Sequence, residues 1–357
     1  MNKSMEDYIS ETSRVLLENI DNRVKLTFPL VECLKEQGIE FGKKLVWVAS
    51  GSSYNAVYCA MPFMQKYMIP QVRLITPFEF CYYEKVCREN IYIFVSQSGY
   101  STNIIEAIEK YQKAGEVAIA VLGNMDSPVS QKADKVIEWG VGEESVGYVT
   151  KGVATLCLFC MLIAEEFVLE RLDKKAADEL LDDIRRAATN HHKAYLYAKK
   201  YCEQHTKALC SMEHVMLMSA GANLGTVREG ALKMSEMIHV QASFYEAEEY
   251  IHGPNLQCNP QYALFFVDGG DDAGKRVTEI AEASKELTDK VFLIRVSDGI
   301  LDATSEIVSP LYMMAVFQYI ACWAARVLRI DDDYFLYYRF KKCIQNKADG
   351  IVYVKPF

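Results

Sequence analysis

Short apolar runs alternate with longer amphipathic stretches along this chain. LVWV at 45–48, IYIFVS at 91–96, VAIAVLG at 117–123, VMLMSA at 215–220, YALFFV at 262–267 and KVFLIRV at 290–296 are each bounded by Gly, Ser, Asn, Asp or charged residues. Such runs read as strands buried on both faces, and the segments between them keep a helical period. Strand and helix in alternation predict an α/β fold of parallel sheets flanked by helices, flavodoxin-like or Rossmann-like. The pattern also repeats. An offset of 170 residues sets Gly51 on Gly221, LVWVASGSSYNAV on VMLMSAGANLGTV, and Glu79-Phe80 on Glu249-Tyr250. A further shift of about two residues pairs IYIFVSQSGYSTNIIEAIEKYQKAG with YALFFVDGGDDAGKRVTEIAEASKE. The expected organisation is a helical extension over residues 1–40, with Leu16, Leu17, Ile20 and Val24 at helical spacing, and a first unit over 41–170. A connecting helix over 171–207, a second unit over 208–330 and a tail over 331–357 complete it.

Composition narrows the function. At 357 residues there is room for two domains with a full core each. The net charge of -9, with no cluster of Lys or Arg, argues against a nucleic-acid surface. An anionic ligand would then need local capture by backbone amides and hydroxyls. The opening MNKSMEDYISETSR has no apolar core and is not expected to be a signal peptide. The longest apolar stretch, Val153 to Ala164, falls short of the roughly 20 residues that span a bilayer. The eleven cysteines are scattered singly apart from Cys157 and Cys160, which read as buried thiols on a core helix. A reduced, cytoplasmic protein without membrane contact is the expectation.

Two segments carry candidate chemistry. Ser96-Gln97-Ser98-Gly99-Tyr100-Ser101-Thr102 joins an apolar strand to an amphipathic helix. Free N–H groups at a helix start, hydroxyl donors and a glycine that admits close approach suit a phosphate. A serine or threonine here also caps a helix for local reasons. The second copy reads Asp268-Gly269-Gly270-Asp271-Asp272 and would repel a phosphate, so the two units are expected to differ in role. In the second unit, Glu229, Lys233, Glu236 and Val240 fall on one helical face. Such a trio is an ordinary solvated ion pair unless the face opens into the strand-end cleft, where a shielded carboxylate can shuttle protons. Gly253-Pro254 sets His252 on a loop, whereas His191-His192 reads as a solvated helix face. No second ligand keeps metal-site spacing with His252, so no metal is expected.

Taken together, GSSYNA at 51–56, SQSGYSTN at 96–103, VGYVTKG at 146–152, EGALKMSE at 229–236 and EYIHGP at 249–254 resemble the double sugar-isomerase (SIS) module. That module occurs in glutamine:fructose-6-phosphate aminotransferases and in fructosamine-6-phosphate deglycases, and the resemblance covers about residues 40–330. It implies two tandem SIS domains and assigns residues. Ser53, Ser96, Gln97, Ser98 and Ser101 would hold the sugar phosphate. Glu236 would move a proton between C1 and C2, and His252 would open the sugar ring from the neighbouring subunit of a homodimer. Lys233, Glu229 and Ser52 would support the site, and Glu144 and Lys151 would line it. Tyr100 stands where the aminotransferases usually carry an acid. The family's tail lysine has Lys341 or Lys342 as imperfect counterparts. With the first SIS strand near residue 45, no glutaminase domain is expected before it. The expectation is a deglycase acting on a 6-phosphorylated sugar-amine without metal or redox cofactor. A glucosamine-6-phosphate deaminase and a sugar-phosphate sensor are the alternatives.

Overall fold

The computed structural model describes residues 3–68, 71–169, 171–299, 303–330 and 335–350. Two helices come first, α1 (Met5–Asp21) and α2 (Arg23–Glu36). Ser4 caps α1 by accepting from the Asp7 N–H while the Asp7 carboxylate accepts from the Ser4 N–H, a reciprocal capping box. The helix stops at Asn22, so Val24 belongs to α2 and is exposed, unlike Leu16 and Ile20.

The first sheet follows in the order β1 (Lys44–Val48), α3 (Gly51–Tyr67), β2 (Val72–Ile75), α4 (Pro77–Tyr82), β3 (Asn90–Ser96), α5 (Thr102–Lys113), β4 (Ile119–Leu122) and β5 (Lys135–Glu138). Then come α6 (Lys151–Leu169), α7 (Lys174–Gln204) and the single turn α8 (Thr206–Leu209). The second sheet is built from β6 (His214–Ser219), α9 (Asn223–Met237), β7 (Gln241–Glu246), α10 (Ala247–Ile251), β8 (Tyr262–Asp268), α11 (Asp272–Ser284) and β9 (Val291–Arg295). Helices α12 (Pro310–Leu328) and α13 (Phe335–Cys343) end the described elements.

Both sheets are wholly parallel, ordered β2-β1-β3-β4-β5 and β7-β6-β8-β9. The second thus repeats the first without its last edge strand. The repeat extends to backbone detail: Gly51 and Gly221, each at the turn after its first strand, have φ of +58° and +57°. A side chain there would be strained, which is why both copies carry glycine.

The expectation of one core per unit is corrected by the packing. A single apolar cluster runs through both units, joining Leu45 and Trp47 of one sheet to Leu217 and Phe265 of the other through α1, α3, α6, α7, α9 and α12. Only the outer faces have cores of their own, around Phe80 and Phe94 in one unit and Tyr250 and Phe266 in the other. The connecting helix α7 is part of this core. Its His191, expected on a solvated face, is fully buried with no partner for either ring nitrogen among the described residues, and burial pulls its pKa down to about 3. Helices α6 and α12 are longer apolar elements than the sequence run suggested. Both are long and apolar enough to cross a membrane, yet both are mostly buried against the rest of the chain. Cys157 and Cys160 are buried free thiols on α6.

Where the units meet, α9 crosses α3 at Gly225. A Cβ on Gly225 would lie 2.5 Å from the Cys59 Sγ and 2.8 Å from its backbone N. Gly225→Ala should therefore destabilise the protein by about 1–3 kcal/mol. Denaturant titration should show a lower midpoint, and an unchanged midpoint would mean that the helices separate without cost.

Candidate active site

The 96–102 loop leaves the carboxyl end of β3, the end at which open parallel sheets bind ligands. Its hydroxyls organise the turn. The Gly99 N–H donates to Ser96 Oγ at 3.1 Å, the Tyr100 N–H to Ser98 Oγ at 3.3 Å, and Ser96 Oγ to Ser101 Oγ at 3.3 Å. Gly99 has φ +70°, and a Cβ on it would overlap the Ser127 Oγ at 2.0 Å, so only glycine fits. Gln97 is steered from outside the loop: its Nε2 donates at 3.0 Å to Glu144, which also accepts from the Thr150 and Gly152 N–H groups at 2.7 and 3.0 Å. Burial raises the Glu144 pKa against the pull of these donors.

Helix α9 supplies the facing chemistry. The ordinary alternative, a solvated ion pair, does not hold here, because Lys233 and Glu229 are almost wholly buried where α9 meets α3. Glu229 accepts from Ser52 Oγ at 2.9 Å and from Asn55 Nδ2 at 2.7 Å. The Lys233 ammonium lies 3.3 Å from Glu229, 3.2 Å from Ser52 Oγ and 2.7 Å from Glu236. Burial lowers the lysine's pKa, but the two flanking carboxylates outweigh it and keep the group charged well above its ordinary range. A line of polar groups thus leads from the packed interior to Glu236, whose side chain is 31% exposed. The helix ends at Met237, so Val240 lies beyond it and not on its face; His239, at φ +58°, turns the chain there.

These groups share one cleft of about 1530 Å³. Ser52, Ser53, Ser96, Gln97, Ser98, Ser101, Glu144, Glu236 and Lys341 all line it. Lys151 does not. Its ammonium points to α1, where it pairs with Glu11 at 2.7 Å beside the Tyr8 ring, because the start of α6 packs on that helix. Lys342, the other tail lysine expected, is exposed outside the lining. His252, at the end of α10, is also exposed and outside the lining of its own chain's cleft.

Among the lining residues that went unread in the sequence are His239 and Lys347. Lys347 comes from the stretch after α13 and donates at 3.1 Å to both Ser98 Oγ and Ser101 Oγ. No motif signals it, since main-chain pairing docks this stretch: the Ala348 N–H donates to the Tyr100 carbonyl at 2.7 Å. His239 carries a weak signal, three residues after Glu236 at the end of a helical pattern.

The second unit's equivalent turns are occupied from within. Asp268 accepts from the Gly270 N–H at 2.8 Å, Asp271 from the Gly274 N–H at 2.8 Å, and Glu306 from the Ala222 N–H at 2.7 Å. The donors that an anion would use are already taken by carboxylates.

Against known proteins, the SIS domain family model matches residues 42–165, the unit that carries the serine loop. The chain contains a SIS domain. The glutamine–fructose-6-phosphate aminotransferase of Wigglesworthia glossinidia brevipalpis is 25% identical over 251 residues, 69% of this chain and 41% of that protein. This chain therefore spans less than half the length of that relative. In fold, the chain is similar to a Clostridium difficile chain assigned as a phosphosugar isomerase, with TM-score 0.85, 21% identity and coverage of 98% of this chain and 100% of that one. It is also similar to the C-terminal domain of glucosamine-fructose-6-phosphate aminotransferase from Francisella tularensis, with TM-score 0.79, 18% identity and coverage of 93% and 98%. The architecture is that of tandem SIS domains.

A Cβ on Gly152 would sit 1.8 Å from Gln97 Oε1 and push that side chain off Glu144. Gly152→Ala should cost about 1–3 kcal/mol of stability, because Gln97 must leave Glu144 one hydrogen bond short. An unchanged midpoint in denaturant titration would mean that Gln97 moves aside without cost.

Proposed function

We propose that this protein is a SIS-type phosphosugar enzyme that deglycates a 6-phosphorylated Amadori compound, a ketose 6-phosphate joined through nitrogen at C1 to an amine. The observation that carries the reading is the opposition of a hydroxyl-rich strand-end loop and a lysine-held carboxylate across one cleft. The first suits the phosphate of a sugar, the second a proton on its carbon chain. The cleft's size supports the finer reading, since about 1530 Å³ exceeds the roughly 300–1,000 Å³ of an ordinary small-molecule pocket and leaves room for a group beyond the hexose.

In this reading Ser53, Ser96, Gln97, Ser98 and Ser101 bind the 6-phosphate, with the dipole of α5 behind them. His252 arrives from a second copy of the chain in a homodimer and opens the ring. Glu236, fixed by Lys233 and backed by Glu229 and Ser52, removes a proton from C1 and an enaminol forms. Return of the proton at C2 leaves an imine between C1 and nitrogen. Water adds to that imine, and the C1–N bond breaks to give glucose 6-phosphate and the free amine. Glu144 keeps Gln97 aimed at the phosphate.

Glu236→Gln should reduce turnover by at least about 10³-fold, in the range of a lost general base, with fructose 6-phosphate affinity near wild type. The assay follows glucose 6-phosphate and free amino acid from 6-phosphofructosyl-lysine and 6-phosphofructosyl-asparagine, with glucosamine 6-phosphate alongside. Wild-type rates in the variant would remove Glu236 from the chemistry. Ammonia and fructose 6-phosphate from glucosamine 6-phosphate alone would replace the deglycase by a deaminase. Binding of sugar phosphate without any product would leave a sensor.

A further inference from the structure

The ammonium of Lys347 has hydroxyls for partners and, among the described residues, no acid. Its Nζ lies 3.1 Å from Ser98 Oγ and 3.1 Å from Ser101 Oγ. Burial, and then the charge of Lys341, press against its protonated form. A cation drawn from water onto neutral oxygens is under-compensated, and an anion at the same spot would restore what it lost.

The lysine is held there by its backbone. Residues 101 and 347 form a β-bridge, the Ala348 N–H donates to the Tyr100 carbonyl at 2.7 Å, and the Thr102 N–H donates to the Asn346 carbonyl at 3.4 Å. These contacts attach the stretch after α13 to the loop whose serines and helix start suit a phosphate. Elsewhere the cleft is lined by the acids Asp126, Glu138, Glu143 and Glu144, against one further lysine among the described residues, Lys341, in a chain of net charge -9. A dianionic substrate entering it needs a local cation more than hydroxyls alone supply.

We propose that Lys347 is the counter-ion of the substrate's 6-phosphate, so that the C-terminal segment completes the anion site. The assignment rests on the reading of the cleft as a phosphosugar site and adds its charge. Phosphate oxygens take the place beside Ser98 and Ser101, and Lys347 pairs with them in charge-assisted hydrogen bonds. The tail thereby separates phosphorylated from neutral sugars.

Calorimetry on the full chain with fructose 6-phosphate, and with fructose as the neutral control, tests this. Lys347→Gln keeps an N–H donor, one atom nearer the backbone, and removes the charge. It should weaken fructose 6-phosphate binding about 10- to 100-fold, as expected for a hydrogen bond to a charged group, and leave fructose unaffected. Lys347→Arg should recover most of the loss. Ala348→Pro, which deletes the N–H given to Tyr100 while leaving the lysine intact, should weaken phosphate binding by freeing the tail. Equal affinity in wild type and Lys347→Gln would overturn the assignment and leave the serine loop standing. Trapping of Lys347 by borohydride with fructose 6-phosphate would also overturn it, by bringing the amine to the sugar carbonyl. A wild-type protein that binds no fructose 6-phosphate would bring down both this assignment and the functional reading beneath it.

Discussion

A buried charge line between the two units is the constraint on which the site depends. Ser52 and Asn55 belong to α3 of the first unit, and Glu229, Lys233 and Glu236 to α9 of the second. Removing either partner from a buried ion pair costs about 3–5 kcal/mol, because the remaining charge loses its compensation. Here the pair is further satisfied by a hydroxyl and an amide from across the interface, so its charges are stable only while the units stay docked. The close crossing of Gly225 on Cys59 and the apolar cluster shared by both sheets maintain that docking. Function and packing therefore meet on one helix: its inner turns lock the units together, and its last turn presents Glu236 to the cleft.

Duplication explains the architecture, and charge explains why the copies diverged. Both sheets have parallel strands in the same order, and both keep a left-handed glycine after the first strand. In the first copy the N–H groups of Gly99 and Tyr100 donate to neutral serine hydroxyls that line the cleft. In the second, Asp268, Asp271 and Glu306 already accept from the equivalent N–H groups. The second sheet has an internal anion at its turns and contributes a helix to the site in place of a phosphate loop.

Much of this was legible because the signals are local. Strand runs, the repeat, the serine loop and the helical spacing of Glu229, Lys233 and Glu236 all lie within short windows of sequence. What was misread depends on packing between distant segments. His191 looks exposed until α7 enters the common core. Lys151 sits inside a motif yet turns to Glu11, a residue 140 positions away. Lys347 was invisible for the opposite reason: backbone pairing positions it, and backbone pairing leaves no trace in residue type. Helix α6 was read as too short because charge at Lys151 and Glu165 interrupts an apolar run that the fold nonetheless buries.

Lys233 is the buried charge that holds Glu229 in place across the unit interface. Denaturant unfolding of Lys233→Met, beside the double variant Lys233→Met/Glu229→Gln, tests it most directly. The single variant should lose about 3–5 kcal/mol, and the double variant should regain part of it because the orphaned carboxylate is gone. A single variant as stable as wild type, or a double variant that loses the sum of two independent costs, would contradict the account.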